Sequence, residues 1–391
     1  MGWGKRIAMG LGGAVILAAG AFFAFAPGIV EKGQNRVVPH DPWPVSERAA
    51  ALHKTLTIGD WHSDALLWDR DLLTRSDRGH VDLPRLRAGN VAVQVFTTVT
   101  KTPAGMNYEH NAAGARDNIT LLVFGQLRPV QTWFSLTERA LDQAARLAAM
   151  ADKAPDQLVV VRSVADLDRV LAARAKGAET VAGLLGAEGG HALEGEIENL
   201  DRLYDAGFRL IGLTHFFDNE LGGSLHGEDD AGLTPFGRQV VAAMVQKHMV
   251  IDLAHASEQM AKDVLAMEGT RPIVSHGGIH GVCPVKRNFP DALMQEIAAK
   301  GGVIGIGDWA EVTCDATPAG VARSIAAAVA LVGEDHVALG SDFDGAVETQ
   351  FDSAELAALT QALIDAGLSE PTIAKVMGGN MVRVLRETLP Q

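Results

Sequence analysis

Cysteine is almost absent from this 391-residue chain, which has two such residues, Cys283 and Cys314, and no CxxC pair. That excludes a disulfide framework and a zinc held by thiolates. The two thiols can still pair in an oxidising compartment, and two unpaired small apolar residues read equally well. Positive charge is scarce as well. Lys and Arg number 34 against 48 Asp and Glu, a formal net charge of −14. Nucleic acid or an anionic lipid surface as main partner would need a basic patch that this balance does not supply. No internal repeat or low-complexity block occurs beyond the apolar start, and 47% hydrophobic residues exclude disorder in favour of a globular chain with a sizeable core. A small molecule is the partner that fits.

What is present begins with Lys5 and Arg6, followed by an uncharged run from Ile7 to Val30. About 20 helical residues cross a bilayer core, so this run predicts an N-terminal transmembrane helix. The basic residues before it hold the amino terminus in the cytoplasm and leave the bulk of the chain on the periplasmic side. A cleaved signal peptide, giving an exported chain, competes: Ala24 to Ala26 has the small-x-small form, although Pro27 after the cut speaks against it. The expected division is an anchor or signal segment over 1–33, a polar linker and lead-in helix from about Ser46 over 34–54, and a catalytic domain over 55–391.

From there short β-branched runs alternate with amphipathic helical stretches. The runs are "TLTIGDWHSD", "VAVQVFTTV", "TVAGLLGAEGG", "LIGLTH", "MVIDLAH", "PIVSH", "GVIGIGD" and "HVALGSDFDG". Strands alternating with helices predict a parallel sheet covered on both faces, and eight of them predict a closed (β/α)8 TIM barrel. Thr234-Pro235 and Thr317-Pro318 each place a capping hydroxyl before a proline at the first helical position. A ninth run, Gln157 to Val161, is assigned to an excursion beside the barrel, because Arg162 is the only ionisable residue that follows it.

The last residues of the strands carry the chemistry. They are His62 and Asp64, Glu188, His215, His255, His276, and Asp342 with Asp344. Residues i and i+2 of an extended chain share a face, so His62 and Asp64 point together. In a barrel all the carboxyl ends open onto one face, and six strands aim a metal-ligand type at one spot. Imidazole and carboxylate without thiolate suit zinc, with manganese, cobalt or iron as substitutes. The number of ligands suggests two ions, which can share a hydroxide and polarise the carbonyl it attacks, the arrangement that amide hydrolysis needs.

"DWHSD", "GAEGGHAL", "LIGLTHFFDN", "GLTPFGRQVV", "VIDLAHAS", "PIVSHGGIHGVCPVKRNFPD" and "HVALGSDFDG" together resemble the membrane dipeptidase family of zinc metallopeptidases, which are amidohydrolase-like barrels. The resemblance runs from about Thr55 to the carboxyl terminus. It implies that His62 and Asp64 hold one zinc, that His255 and His276 hold a second, and that Glu188 bridges them where related barrels use a carbamylated lysine. It implies further that His215 binds the developing oxyanion, that Arg287 forks onto the substrate carboxylate, and that Asp342 carries a proton from the bridging water to the leaving amine. The implied reaction is hydrolysis of dipeptides, including those with a D-residue at the carboxyl position. Two Zn2+ per chain are its cofactors.

Other readings stand beside these. Asp342 and Asp344 are equal candidates on spacing, and only the resemblance selects Asp342. Lys286 competes with Arg287. His191 reads as a group orienting a ligand, and His226 and His280 as solvated loop residues. His40, His53, His80, His110, His248 and His336 carry no spacing signal and read as surface. Ser63 and the displaced Leu67 and Trp68 depart from the family pattern, as does the acidic loop Glu220 to Asp230. An N-acyl amino acid deacylase on the same binuclear barrel is the alternative enzyme, and an inactive membrane-tethered binding protein the alternative class. Self-association into a homodimer stays open.

Overall fold

The computed structural model describes the backbone of residues 3–391 and the side chains of residues 17–391. Its strands are β1 (Arg36–Val37), β2 (Ile58–Asp60), β3 (Val91–Val99), β4 (Leu158–Val160), β5 (Val181–Glu188), β6 (Phe208–Gly212), β7 (Val250–Asp252), β8 (Ile304–Ile306), β9 (Val337–Leu339) and β10 (Glu348–Thr349). The main sheet runs β7-β6-β5-β3-β2-β9-β8, parallel at every pairing. Parallel bridges Asp252↔Ile273 and Val274↔Ile304 then carry β7 to β8 through the "PIVSH" run. The result is a curled parallel sheet in which all eight sequence-derived runs are staves. The ninth run forms β4, which pairs with β5 off this path, as expected for an excursion.

Helices cover the outside because the long staves are buried on both faces. All nine residues of β3 and all eight of β5 are buried. Strand side chains Ile58, Phe96, Leu185, Ile211, Ile251 and Ile304 share one cluster with Leu147, Val240, Val264, Ile297, Ile325 and Leu363 of the surrounding helices. Capping hydroxyls set the helix starts. Ser46 caps Glu47–Thr55, Thr234 caps Pro235–Gln246 and Thr317 caps Pro318–Val332, each accepting an N–H three residues on. Cys283 and Cys314 form a disulfide, so the reading as two unpaired residues gives way to the paired one. Their bond fastens the loop bearing Arg287 to the segment after β8.

The expected membrane span is only partly described. Residues 3–34 form one helix, Trp3–Gln34, but the side chains of residues 7–16 lie outside the described ones. Among the described residues no helix is long and apolar enough to cross a membrane. The described end of this helix carries Glu31 and Lys32, and Glu31 is turned into the protein, 1% exposed.

Candidate metal centre

Glu188 is the last residue of β5, at the open end of the curled sheet, and everything else converges on it. Its Oε1 lies 3.4 Å from His62 Nε2, 3.4 Å from His255 Nε2 and 3.6 Å from His276 Nε2. Its Oε2 lies 3.4 Å from His215 Nε2. Asp64 Oδ1 and Asp342 Oδ1 are 3.4 and 3.9 Å from His62 Nε2. The sequence thus predicted the members of one buried cluster, supplied by six staves.

Neighbouring polar side chains fix the orientation of these groups. Thr97 on β3 donates to Asp64 Oδ1 at 2.5 Å. Ser275 donates to Asp252 Oδ2 at 2.6 Å and stands 2.8 Å from His276 Nδ1. A hydroxyl that gives its proton to a carboxylate can only accept from the imidazole, so His276 carries its proton on Nδ1 and presents a lone pair at Nε2. His255 and Asp342 adopt left-handed backbone with φ of 65° and 60°. Non-glycine residues rarely accept that strain, and it gathers at functional positions.

The electrostatics are those of a site that wants a cation. His255 Nε2 and His276 Nε2 stand 2.9 Å apart, and Glu188 Oε2 lacks a hydrogen-bond partner although buried. Burial, then the charge of Asp64, pushes the Glu188 carboxyl well above its usual range. Burial also raises Asp342, to about 8. At His62 burial opposes protonation, yet Glu188, Asp64 and Asp342 outweigh it and hold the ring at about 10. Burial lowers His215 to about 4 and His255 and His276 well below the usual range, so these rings are neutral bases. Three overlapping groups satisfy the spacing for a bound ion: His62, Asp64 and Glu188; Glu188, His215 and His255; His62, His276 and Asp342. The donor set is nitrogen and oxygen only, which fits a borderline divalent metal. Metal ligation must displace the protons held by Glu188, Asp342 and His62. Apparent metal affinity is therefore expected to rise as pH rises from 6 toward 8, with proton release on binding; calorimetry in buffers of different ionisation enthalpy checks this, and affinity independent of pH would contradict it.

Several other readings are settled by the geometry. Arg287 is buried, donating from Nη2 to His276 O at 2.9 Å, whereas Lys286 turns outward to the Glu109 carbonyl. Asp344 does not share a face with Asp342. Both residues have positive φ, so the chain there is coiled rather than extended and the i, i+2 rule fails. Asp344 instead pairs with Arg70 at 2.5 Å and accepts from His80 N at 2.8 Å, on the far side from the cluster. His191 is buried against Phe217, with both ring nitrogens unpartnered, and orients no ligand.

Three histidines read as surface are buried. His53 bonds Thr360 and the Gly89 carbonyl, and His80 packs on Phe343 behind the Asp344 loop. His226 is fully buried, stacked on Phe216 with its ring 5.3 Å from that of His255. Tyr108 was missed, because its loop carries no strand-end signal. Its hydroxyl accepts from Trp309 Nε1 at 3.2 Å, and burial with the charge of Asp342 pushes its pKa to about 12. Tyr108, Trp309, Phe216, Trp68 and Ile119 help line a cavity of about 900 Å³ that opens above Glu188 and Asp342.

A buried nitrogen and oxygen cluster at the carboxyl ends of a curled parallel α/β sheet defines a metal-dependent hydrolase. Residues 46–389 match the family model described as membrane dipeptidase (peptidase family M19), and the chain belongs to that family. It is accordingly a metallodipeptidase. Among similar proteins is the dipeptidase aclJ of Aspergillus oryzae, 31% identical over 361 residues that cover 85% of this chain and 79% of that protein. The fold is shared with the probable dipeptidase PvdM of Pseudomonas aeruginosa, with a TM-score of 0.73 at 19% identity, covering 88% of this chain and 98% of that one. It is shared also with a Rhodobacter sphaeroides metallopeptidase carrying a phosphinate mimic of L-Ala-D-Ala, with a TM-score of 0.70 at 24% identity over 85% and 99% of the two chains.

Proposed function

We propose that the site holds two zinc ions and hydrolyses dipeptides, including those with a D-residue at the carboxyl position. One observation carries this reading: a single carboxylate oxygen, Glu188 Oε1, stands within 3.6 Å of three imidazole nitrogens, those of His62, His255 and His276. A carboxylate so placed suits a bridge, with His62 and Asp64 on one side and His255 and His276 on the other. The metals, when bound, supply an acidified water and polarise the scissile carbonyl. The residues of the chain do the rest. Arg287 receives the substrate carboxylate, His215 steadies the oxyanion, and Asp342 moves the proton to the leaving amine. The sheet is read as a closed (β/α)8 barrel of the metal-dependent hydrolase type, since bridges through 273–274 join its two ends.

The test is a panel of L-L and L-D dipeptides, their C-terminal amides and matched N-acetyl amino acids, with the metal removed and restored as zinc. Free dipeptides are expected to turn over, chelation to abolish activity and zinc to restore it. The amides are expected to be poor substrates, and Arg287→Lys to raise KM for the free acids, because a bidentate clamp on a carboxylate is lost in both cases. Equal rates on amide and acid would remove the clamp. Turnover of the N-acetyl compounds alone would replace the dipeptidase with the deacylase. Activity of either kind excludes the inactive binding protein.

We further propose attachment to the outer side of the inner membrane through residues 7–30, with residues 34–54 as linker and lead-in and 55–391 as the catalytic unit. The uncharged run supports it, and so does an apolar surface beside the helix that contains the run. Phe23 packs on Phe124 at 5.4 Å, and next to this contact Leu127 and Phe134 are 65% and 81% exposed. The disulfide is in keeping with a compartment outside the cytosol. Recovery of the full chain in the membrane fraction, resistant to high salt, is the expected outcome. Size measurement in detergent tests the homodimer.

A further inference from the structure

The loop that carries Asp342 is an unusual piece of backbone. Asp342, Asp344 and Ala346 all have positive φ, at 60°, 66° and 62°. Three strained non-glycine residues within five positions persist only where their surroundings hold them. From within the barrel the loop is held by Trp68 Nε1, which donates to Asp344 O at 2.7 Å, and by the backbone N–H groups of His80 and Val81, which donate to the Asp344 carboxylate. Within the barrel, too, Asp64 N donates to Phe343 O at 2.9 Å and the Asp344 N–H to His80 Nδ1 at 3.0 Å. Further ties come from outside it. Glu31, near the end of helix Trp3–Gln34, makes a buried ion pair with Arg70 Nε, and Arg70 Nη2 pairs with Asp344 Oδ2 at 2.5 Å. Four residues on, Asn35 Oδ1 accepts the N–H of Ala346 at 2.8 Å. Glu31 and Asn35 are 1% and 3% exposed, and Arg78 Nε adds a second cation to Glu31 at 2.7 Å.

We propose that Glu31 and Asn35 are positioning residues for Asp342: the end of the N-terminal helix clamps the 342–346 loop at two points and so holds the proton-carrying carboxylate over the metal cluster. Neither residue touches the cluster. Each acts through the loop, Glu31 by way of Arg70 and Asp344, Asn35 directly on the Ala346 amide. The segment that sequence alone marks as an anchor is then also part of the active-site frame, and no shortening of the chain beyond residue 30 leaves the clamp intact. The inference rests on the reading of Asp342 as the proton carrier, which Asp342→Asn tests separately.

The test uses the full chain loaded with zinc and compares Glu31→Gln, Asn35→Ala and the pair with Lys32→Ala. Lys32 lies on the same helix end, but among the described residues it pairs with Asp77 alone, at 3.6 Å on the surface. Glu31→Gln is expected to lower kcat by between about ten- and a hundredfold, the range for a misplaced reacting group, with KM and bound metal unchanged. Asn35→Ala is expected to lower kcat in the same manner, and the double variant less than the product of the two, since both hold one loop. Lys32→Ala is expected to match the parent. A kcat per metal-loaded molecule within twofold of the parent in Glu31→Gln overturns the proposal, whatever happens to Tm. So does a fall in kcat that tracks loss of metal. Should Glu31→Gln not accumulate folded, Asn35→Ala is read by the same criteria.

Discussion

Glu188→Ala is expected to remove bound metal and dipeptidase activity together. The carboxylate lies between all four of His62, His215, His255 and His276, 3.4 to 3.6 Å from a ring nitrogen of each. Its removal leaves the neutral rings of His215, His255 and His276 beside a protonated His62, with Asp64 and Asp342 as the remaining carboxyl groups of the cluster. Metal analysis of the purified variant is expected to show little or no zinc, and turnover at the level of the chelated parent. The metal-free fold is expected to survive, since burial disfavours the Glu188 charge and holds its pKa up, and since the buried His62 cation, which loses Glu188, keeps Asp64 at 3.4 Å from its Nε2. The diagnostic is therefore thermal unfolding with and without zinc. The parent is expected to gain Tm on zinc addition and the variant to gain none, because stabilisation by a ligand follows its affinity for the native state. Full metal occupancy with lost turnover would instead make Glu188 an acid–base group.

The cluster could be foreseen because a parallel α/β sheet converts chain order into position. Once eight runs are recognised as staves, their last residues must share a face, and no knowledge of the helices is needed to bring Glu188 to His276. Local chemistry was legible for the same reason at Thr234 and Thr317, where the cap is decided within four residues. What was not legible lies in loops, where neighbours come from distant chain. His226 is buried by Tyr108, 118 residues away, and by Phe216, and nothing near His226 in the sequence announces either. His80 is buried behind Asp344 across 264 residues. The alternation rule failed at Asp342 and Asp344 because it assumes an extended chain, and these two residues take left-handed backbone. Glu31 was hidden in a different way, as one acidic residue just beyond an apolar run, where a charge ordinarily marks the water side.

Asp342→Asn is expected to keep its bound metal and to lower turnover by about 10²-fold or more, the scale of a lost general base. The amide keeps the shape and the hydrogen-bonding reach of the carboxylate, so the loop and its ties through Asp344 and Ala346 are preserved. It cannot take a proton. In the metal-free protein burial holds the Asp342 carboxyl at about 8, with His62 and Arg287 pulling it down and Asp64 pushing it up. Bound cations would add to the downward pull and favour the ionised carboxylate. A base must be ionised to work, hence kcat/KM for the parent is expected to fall as pH falls through that titration. Asp342→Asn is expected to flatten this acid limb as well as to lower the plateau. Asp344→Asn separates chemistry from architecture: its carboxylate serves Arg70 and the amides of His80 and Val81, so the loss is expected in Tm and in the plateau of kcat while the acid limb keeps its midpoint. If Asp342→Asn retained near-parental turnover, or if the limb vanished in Asp344→Asn instead, the proton would travel through another group. Among the described side chains lining the cavity, Tyr108 is the next one placed to carry it, and burial keeps its pKa near 12. A phenol held that high is a poor base at neutral pH, so it could serve only as a donor, and the acid limb would then be replaced by a loss of activity at high pH.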